Sequence, residues 1–307
     1  MVSNSKSPVV LTMGVFDGVH AGHRALIRHA ALRAREIAGT LTAATFDPHP
    51  TAFLRPELFQ GLLTLVGRRV ELLREAGAET VEVLHFDLEL SHMVAEEFVS
   101  QIVVDQLQAS LVIVGTNFRF GHKAQGDVAL LQQLGLKYGF EVEVFDLVGD
   151  AGVWSSTRVR QAILDGQVDT ACNLLGRPHR LTGTVVHGDH RGRELGFPTA
   201  NLEVDGGLII PGDGVYSGLL HTASDVYPAA ISIGTNPTFE GVLGRRVEAF
   251  AIGQTGLDLY GQVVDLDFVG FVRTMQAFSG IEPLIVAMNN DVEVAKSQVA
   301  AFLEARL

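Results

Sequence analysis

The first half of the chain alternates short apolar runs with segments whose apolar residues recur at helical spacing. The strand-like run at 111–114 (Leu-Val-Ile-Val) is apolar at every position, which is typical of strands that are covered on both faces. This alternation predicts a parallel sheet with helices on both sides. We expect strands near 9–14, 40–46, 81–86, 110–115 and 140–147, and helices near 22–38, 64–76, 94–107 and 127–138.

The second half of the chain has a different period. Helical spacing at 157–180 ends at Gly176 and Pro178, and closely spaced, glycine-rich strands follow. These strands predict a small antiparallel barrel, and residues 281–307 return to helical spacing. We therefore expect two domains, 1–180 and 181–307. The predicted barrel strands lie near 181–187, 214–221, 226–233, 247–252 and 262–271.

The loop at 13–23, MGVFDGVHAGH, joins the first predicted strand to the first helix. Its glycines allow a close backbone approach, and a helix N-terminus offers unpaired N–H groups, so the loop suits a phosphate. His20 and His23 can donate hydrogen bonds to a phosphate under attack, which suggests nucleotidyl transfer. Two alternatives are a metal site and simple capping of the helix by these histidines.

Polar residues also follow the other predicted strands, where ligands of parallel sheets bind. Asp47 and His49 lie in the proline-rich turn TFDPHP, which can also be purely structural. Asn117 precedes two phenylalanines that offer stacking surface, in NFRFG at 117–121. The segment SSTRVR at 155–160 places three hydroxyls and two arginines at a helix start, as a polyphosphate site requires, although the hydroxyls can also serve only as caps.

The predicted barrel carries a second polar set. A glycine- and arginine-rich loop beginning near Gly188 is suited to covering a phosphate. Thr199 and Asn201 are two residues apart, so on an extended backbone both point to one side and can bind Mg²⁺ together with nucleotide phosphates. Glu248 lies in an otherwise apolar strand. It can act as a general base, or it can be the solvent-facing residue of that strand.

Composition limits the partners. The 307 residues carry a formal net charge of -12, which disfavours a nucleic acid partner but allows ATP to be held by local arginines and amides. The N-terminal residues lack the apolar core of a signal peptide, and no run of 18 apolar residues occurs. We therefore expect a cytoplasmic protein that does not bind membranes.

The motifs, in their order, resemble those of the bacterial bifunctional riboflavin kinases and FMN adenylyltransferases, or FAD synthetases. The first module is marked by GVFDGVHAGH, TFDPHP, NFRFG and SSTRVR, and the second by HGDHRGRELGFPTANL, GTNPTF, VEAF and DLYG. The resemblance extends from about residue 9 to about residue 300. It implies a Rossmann-like nucleotidyltransferase α/β domain, followed by a riboflavin kinase β-barrel with a C-terminal helix.

The resemblance also implies roles for individual residues. Riboflavin would be phosphorylated to FMN in the barrel, and FMN adenylylated to FAD in the first module, with ATP as co-substrate and Mg²⁺ as cofactor. The implied catalytic residues are His20, His23 and Glu248, and the implied Mg²⁺ ligands are Thr199 and Asn201. The implied nucleotide or phosphate contacts are Gly14, Phe16, Gly22, Ser155, Ser156, Thr157, Arg160, Gly183, His187 and Arg191. The implied flavin contacts are Asp47, His49, Asn117, Phe118 and Arg119.

Two other functions compete with this interpretation. One is an adenylyltransferase for a different cofactor precursor, with a barrel that has no catalytic role. The other is a flavin- or nucleotide-sensing protein without turnover. The Thr199, Asn201 and Glu248 set speaks against the first, because an inert barrel does not need it. The two separate phosphate-handling sets speak against the second.

Overall fold

The structure of the protein is a computed structural model, and it divides the chain into two compact units, Met1–Ser156 and Thr157–Leu307. The predicted domain boundary at residues 180 and 181 stays a prediction. Nowhere in the parts of the chain that the structure describes is a helix long and apolar enough to cross a membrane. The structure describes residues 7–146, 148–149, 152–188, 196–237 and 243–306.

The first unit contains a five-stranded parallel sheet, as predicted. Its strand order is β3-β2-β1-β4-β5. Its strands are β1 (Val9–Met13), β2 (Thr40–Asp47), β3 (Thr80–His85), β4 (Ala109–Gly115) and β5 (Glu141–Phe145). Its helices are α1 (Ala21–Glu36), α2 (Pro50–Leu54), α3 (Val66–Glu75), α4 (Leu88–His92), α5 (Ala95–Glu97) and α6 (Val128–Tyr138). Short 3₁₀ turns occupy Pro56–Leu58 and His122–Ala124.

Each face of the sheet buries its own core because alternate residues of a strand point to opposite sides. Val10 packs with Ile27 and Leu73 on the face covered by α1 and α3. Leu11 packs on the other face, with Val99 and Leu131. Strand β1 lies between β2 and β4, where the strand order reverses, so the loop after β1 lies at the point where such sheets bind ligands.

Several elements of this unit differ from the prediction. The helix predicted near 94–107 begins as α5 and continues as a π-helix over Phe98–Gln106. Helix α2 follows directly on TFDPHP, where Pro50 occupies its first turn. A two-stranded hairpin, β6 (Val148–Gly149) and β7 (Gly152–Val153), follows β5.

The second unit is a closed six-stranded barrel with helices on its outside, in the strand order β10-β11-β12-β9-β8-β13. Strand β9 was not predicted, and it pairs with both β8 and β12. The strands are β8 (His179–Val186), β9 (Ala200–Val204), β10 (Gly214–His221), β11 (Val226–Pro237), β12 (Leu243–Ala251) and β13 (Val263–Arg273). Helix α9 (Ile281–Glu304) packs on β10, β11 and β13.

The helical bridge predicted at 157–180 consists of two helices, α7 (Ser156–Leu164) and α8 (Val168–Leu175). The turn between them lies against the barrel. Tyr216 is fully buried, and its hydroxyl donates to Gly212 O at 2.5 Å. Gly166 has φ +74°, and a Cβ there would lie 2.8 Å from the Tyr216 hydroxyl, so this turn requires glycine.

Candidate active sites

The phosphate loop after β1 is a tight, buried turn. Phe16 and Val19 have φ +50° and +38° and are almost completely buried, so packing holds both in a strained conformation. A Cβ on Gly14 would lie 3.1 Å from the Phe16 ring, and one on Gly22 would lie 3.1 Å from the Trp154 ring. Glycine at both positions lets the backbone pack directly against these rings.

Asp17 anchors this loop. Its carboxylate is 1% exposed and accepts hydrogen bonds from the N–H groups of Leu63 and Thr64, at 3.0 and 3.1 Å. The Gly18 N–H in turn donates to the Thr64 hydroxyl at 3.2 Å. Asp17 therefore joins the loop to the segment that precedes α3, which is a structural role that the motif alone did not indicate.

His20 and His23 stand together at the start of α1. His20 is the N-cap, and its Nδ1 accepts from the His23 N–H at 3.3 Å, as the capping alternative predicted. The two rings stack with centroids 3.6 Å apart and planes 16° apart, and the Phe16 ring makes an edge contact with His23.

The electrostatic surroundings keep His23 uncharged. Burial, the neighbouring His20 and the positive charge of Arg69 hold the pKa of His23 well below 6.5. His23 Nδ1 is buried and has no hydrogen-bond partner within the described ranges, whereas the residue as a whole is partly exposed. An uncharged His23 therefore stands beside the capping His20 at the helix start.

Arg69, on α3, was missed from the sequence. Its side chain is fully buried, and Nη1 donates to Phe46 O at 2.8 Å, Thr45 Oγ1 at 3.2 Å and Val15 O at 3.3 Å. The sequence could have indicated that Arg69 is buried, because position 69 lies on the same face of α3 as the apolar residues Leu72 and Leu73.

The segment after β2 carries Asp47 and His49. The Asp47–Pro48 peptide bond is cis, and His49 is the N-cap of α2, with its Nδ1 accepting from Thr51 N at 3.1 Å. Nearby, the Phe53 ring packs edge-on against Phe86 with centroids 5.7 Å apart, and Phe53 is 40% exposed. The structure thus adds an aromatic surface, suited to a planar ring, that the sequence motifs did not reveal.

The segment after β4 places Asn117 and Arg119 in solvent and Phe118 partly buried. Phe118 stacks on Phe120 with centroids 5.6 Å apart. Arg119 Nη1 donates to Phe118 O at 2.9 Å. The amide of Asn117 and the Phe118 ring are therefore open to a ligand at the carboxyl edge of the sheet.

The SSTRVR segment begins at the boundary of the two units. Ser155 is partly buried, and the Ser156 hydroxyl donates to Asp17 O at 2.9 Å, a contact within the first unit. Thr157 is exposed and Arg160 is buried, and both belong to the second unit, so their contact with nucleotide stays a prediction.

The barrel brings together the three predicted residues of the second site. Strand register places Glu248 of β12 directly opposite Asn201 of β9. Thr199, just before β9, donates its hydroxyl to Glu248 Oε2 at 3.4 Å. Gly188 adjoins them, since a Cβ there would lie 2.3 Å from Asn201 Nδ2. The side chains of Thr199, Asn201 and Glu248 are all partly exposed.

This barrel cluster suits a magnesium ion. It offers a hydroxyl, an amide oxygen and a carboxylate, which are the hard oxygen donors that Mg²⁺ prefers in combination with phosphate oxygens. No group of three or more His, Cys, Asp or Glu side chains able to hold a metal occurs in the described parts.

The remaining predicted nucleotide contacts of the barrel differ in their surroundings. Gly183 lies within β8, and a Cβ there would lie 2.5 Å from Glu203 O, so close strand packing accounts for this glycine. His187 is exposed and stacks on Tyr260 with centroids 4.1 Å apart. Arg191 lies outside the described residues.

Comparison with known proteins covers most of the chain. A family model for FAD synthetase matches residues 2–158, and one for riboflavin kinase matches residues 175–299. The bifunctional riboflavin kinase/FMN adenylyltransferase of Escherichia coli K12 is 34% identical over 94% of this chain and 91% of its own length. That of Pseudomonas fluorescens is 36% identical over 95% and 93%.

A solved structure is also similar. It is described as a macrolide-efflux protein from Streptococcus pneumoniae, is 32% identical, covers 95% of each chain and has a TM-score of 0.86. The matches thus span both units, in the same order as the two clusters of polar residues. The chain belongs to the bifunctional riboflavin kinase/FMN adenylyltransferase family.

Proposed function

We propose that this protein makes FAD from riboflavin in two ATP-dependent steps. The observation that carries the proposal is the presence of two separate phosphate-handling clusters, the stacked His20–His23 pair and the Thr199–Asn201–Glu248 group. An adenylyltransferase with an inert barrel would need only the first cluster. Because both steps consume ATP, we place them in the cytoplasm.

The barrel would phosphorylate riboflavin. Glu248 takes the proton from the ribityl 5′-hydroxyl, the oxygen attacks the γ-phosphorus of ATP, and ADP leaves. Thr199 and Asn201 would hold Mg²⁺, which when bound neutralises charge on the transferred phosphoryl group. The contact between Thr199 and Glu248 supports this, because it puts the base beside the phosphate site.

The first unit would adenylylate FMN. A phosphate oxygen of FMN attacks the α-phosphorus of ATP, and pyrophosphate leaves. His20 and His23 donate hydrogen bonds to the phosphate oxygens as their negative charge increases, together with the N–H groups at the start of α1. The aromatic surface of Phe53 and Phe86 and the side chains of Asn117 and Phe118 are suited to the flavin ring.

Nucleotide contacts of Ser155, Ser156, Thr157 and Arg160 are part of the same proposal. These residues belong to one short stretch that contains the N-terminus of α7, where backbone N–H groups favour an anion. The hydrogen bond from the Ser156 hydroxyl to Asp17 O supports the assignment of Ser156, because both residues belong to the first unit.

The direct test incubates the full chain with riboflavin, ATP and Mg²⁺ and separates the flavins by chromatography. We expect FMN first and FAD later. If riboflavin persists unchanged, the kinase assignment fails. If FMN accumulates without FAD, the adenylyltransferase assignment fails.

Variants assign each step to its site. Asn201→Ala should stop FMN formation but leave conversion of added FMN to FAD, and His23→Ala should do the reverse. His92→Ala, at an exposed histidine of the same unit, is the matched control and should change neither rate. Equal loss of both steps in both variants would contradict separate sites.

A further inference from the structure

We infer that Arg69 is a positioning residue for adenylyl transfer, whose buried guanidinium fixes the two loops of the first site beside His20 and His23. The inference rests on the adenylyltransferase proposed above. Arg69 acts through other residues, since its described contacts are with protein groups.

One nitrogen of Arg69 links two strand ends. Nη1 donates to Val15 O in the phosphate loop and to Phe46 O at the end of β2, while Thr45 donates its own hydroxyl to Val15 O at 2.8 Å. Val15 precedes the strained Phe16, and Phe46 precedes Asp47. A single side chain therefore sets the spacing between the phosphate loop and the TFDPHP segment.

A buried arginine at this position is unusual for a residue with a purely structural role. Arg69 is 0% exposed and lies on the face of α3 that also buries Leu72 and Leu73, where an apolar side chain would pack without desolvating a cation. Replacing a buried charge by an apolar group of similar volume is often neutral or stabilising. A guanidinium at this position points to a need for its donors and its charge.

That charge acts on His23. The groups that face His23 are His20 of the cap and Arg69 of α3, and both oppose its protonation. The loop carboxylate, Asp17, is directed to the amides of residues 63 and 64. Because His20 Nδ1 accepts a hydrogen bond, a neutral His20 carries its proton on Nε2.

The Nδ1 of His23 is buried, so the other ring nitrogen is the one that can meet a ligand. A neutral ring donates a hydrogen bond to the growing charge of the transition state without adding a full positive charge.

The test compares Arg69→Gln, which keeps a donor but removes the charge, with Arg69→Lys, which keeps the charge but not the planar fork. Arg68→Gln is the matched control, since Arg68 is the preceding arginine and pairs with Glu71 and Glu75 at the surface. NMR of histidine-labelled full-length protein follows the His23 Cε1–H signal from pH 4.5 to 8. The signal is assigned by its loss in His23→Gln.

We expect the titration of His23 to move to higher pH in Arg69→Gln and to stay as in the wild type in Arg69→Lys and Arg68→Gln. FMN adenylylation should show a lower kcat in both Arg69 variants, by about 10- to 100-fold, with a smaller change in the KM for ATP. Riboflavin phosphorylation by the same chain should be unchanged, because the barrel belongs to the other unit.

An unchanged His23 titration in Arg69→Gln would overturn the inference, as would wild-type adenylylation in that variant. If Arg69→Gln is obtained only unfolded, Arg69→Lys carries the test alone, and wild-type adenylylation by it would overturn the inference. Failure of the proposed function is distinguishable, because the wild-type protein would then convert no FMN to FAD, whatever the His23 titration shows.

Discussion

The contact between Gly188 and Asn201 allows a substitution that disturbs the barrel site without disturbing the barrel. In Gly188→Ala the new Cβ would lie 2.3 Å from Nδ2 and 2.6 Å from Oδ1 of Asn201. Ordinary contacts of a Cβ begin near 3.4 Å, so the amide must move by about 1 Å. The backbone of Gly188 lies outside the left-handed region, so alanine adds no backbone strain there.

The expected effect follows from what has to move. The obstructing atoms are the end of a flexible side chain, so the unfolding temperature should stay within about 3 °C of the wild type. Asn201 faces Glu248 and is a proposed Mg²⁺ ligand. A displacement of about 1 Å at a positioned group costs about 100-fold in rate, or about 2.7 kcal/mol in activation free energy.

The assay measures the two reactions separately in one preparation. Riboflavin phosphorylation should fall by about 10- to 100-fold and need more Mg²⁺ for half-maximal rate, whereas adenylylation of added FMN should be unchanged. Gly206→Ala is the matched control, because a Cβ there meets no atom within 4 Å and the backbone is again outside the left-handed region. Its phosphorylation rate should equal that of the wild type.

Full phosphorylation activity in Gly188→Ala, with an unchanged requirement for Mg²⁺, would refute the assigned role of Asn201. Equal losses of phosphorylation and adenylylation would also refute it, because the damage would then not be confined to the barrel site.

Three other substitutions test the structure. Tyr216→Phe should lower the free energy of unfolding by about 1–2 kcal/mol at pH 7. Since burial raises the pKa of Tyr216 from 10 to about 12, the wild type should lose stability between pH 10 and 12 and this variant should not, as urea unfolding at each pH will show. Asp267→Asn should lower the free energy of unfolding by about 1–3 kcal/mol at neutral pH. Hydrogen bonds from Arg180 and His221 hold the pKa of Asp267 below 3.8, so the difference from the wild type should disappear as pH falls through that lowered pKa. Asp17→Asn should slow adenylylation while phosphorylation stays normal, measured by chromatography.

The sheet and most of the barrel followed from the sequence because both are encoded in local patterns. A run that is apolar at every position, such as residues 111–114 of β4, indicates burial on two faces, and each site loop of the sheet lies directly after a strand. Thr199, Asn201 and Glu248 were also identifiable, because polar residues in apolar surroundings stand out.

What the sequence did not reveal depends on distant pairing. Strand β9 carries the polar residues Asn201 and Glu203, and only its partners β8 and β12 make it a strand. Arg68 and Arg69 have the same side chain, yet one is at the surface and the other is fully buried. Local composition cannot separate them, since the difference is which face of α3 meets the sheet.

The register between β9 and β12 also limits how this site can change during evolution. Glu248 lies opposite Asn201 only while Val247 pairs with Leu202 and Ala249 with Ala200. Inserting or deleting one residue in either strand would exchange the inward and outward faces of that strand and remove the pairing. Length changes in these two strands must therefore be compensated in the same strand.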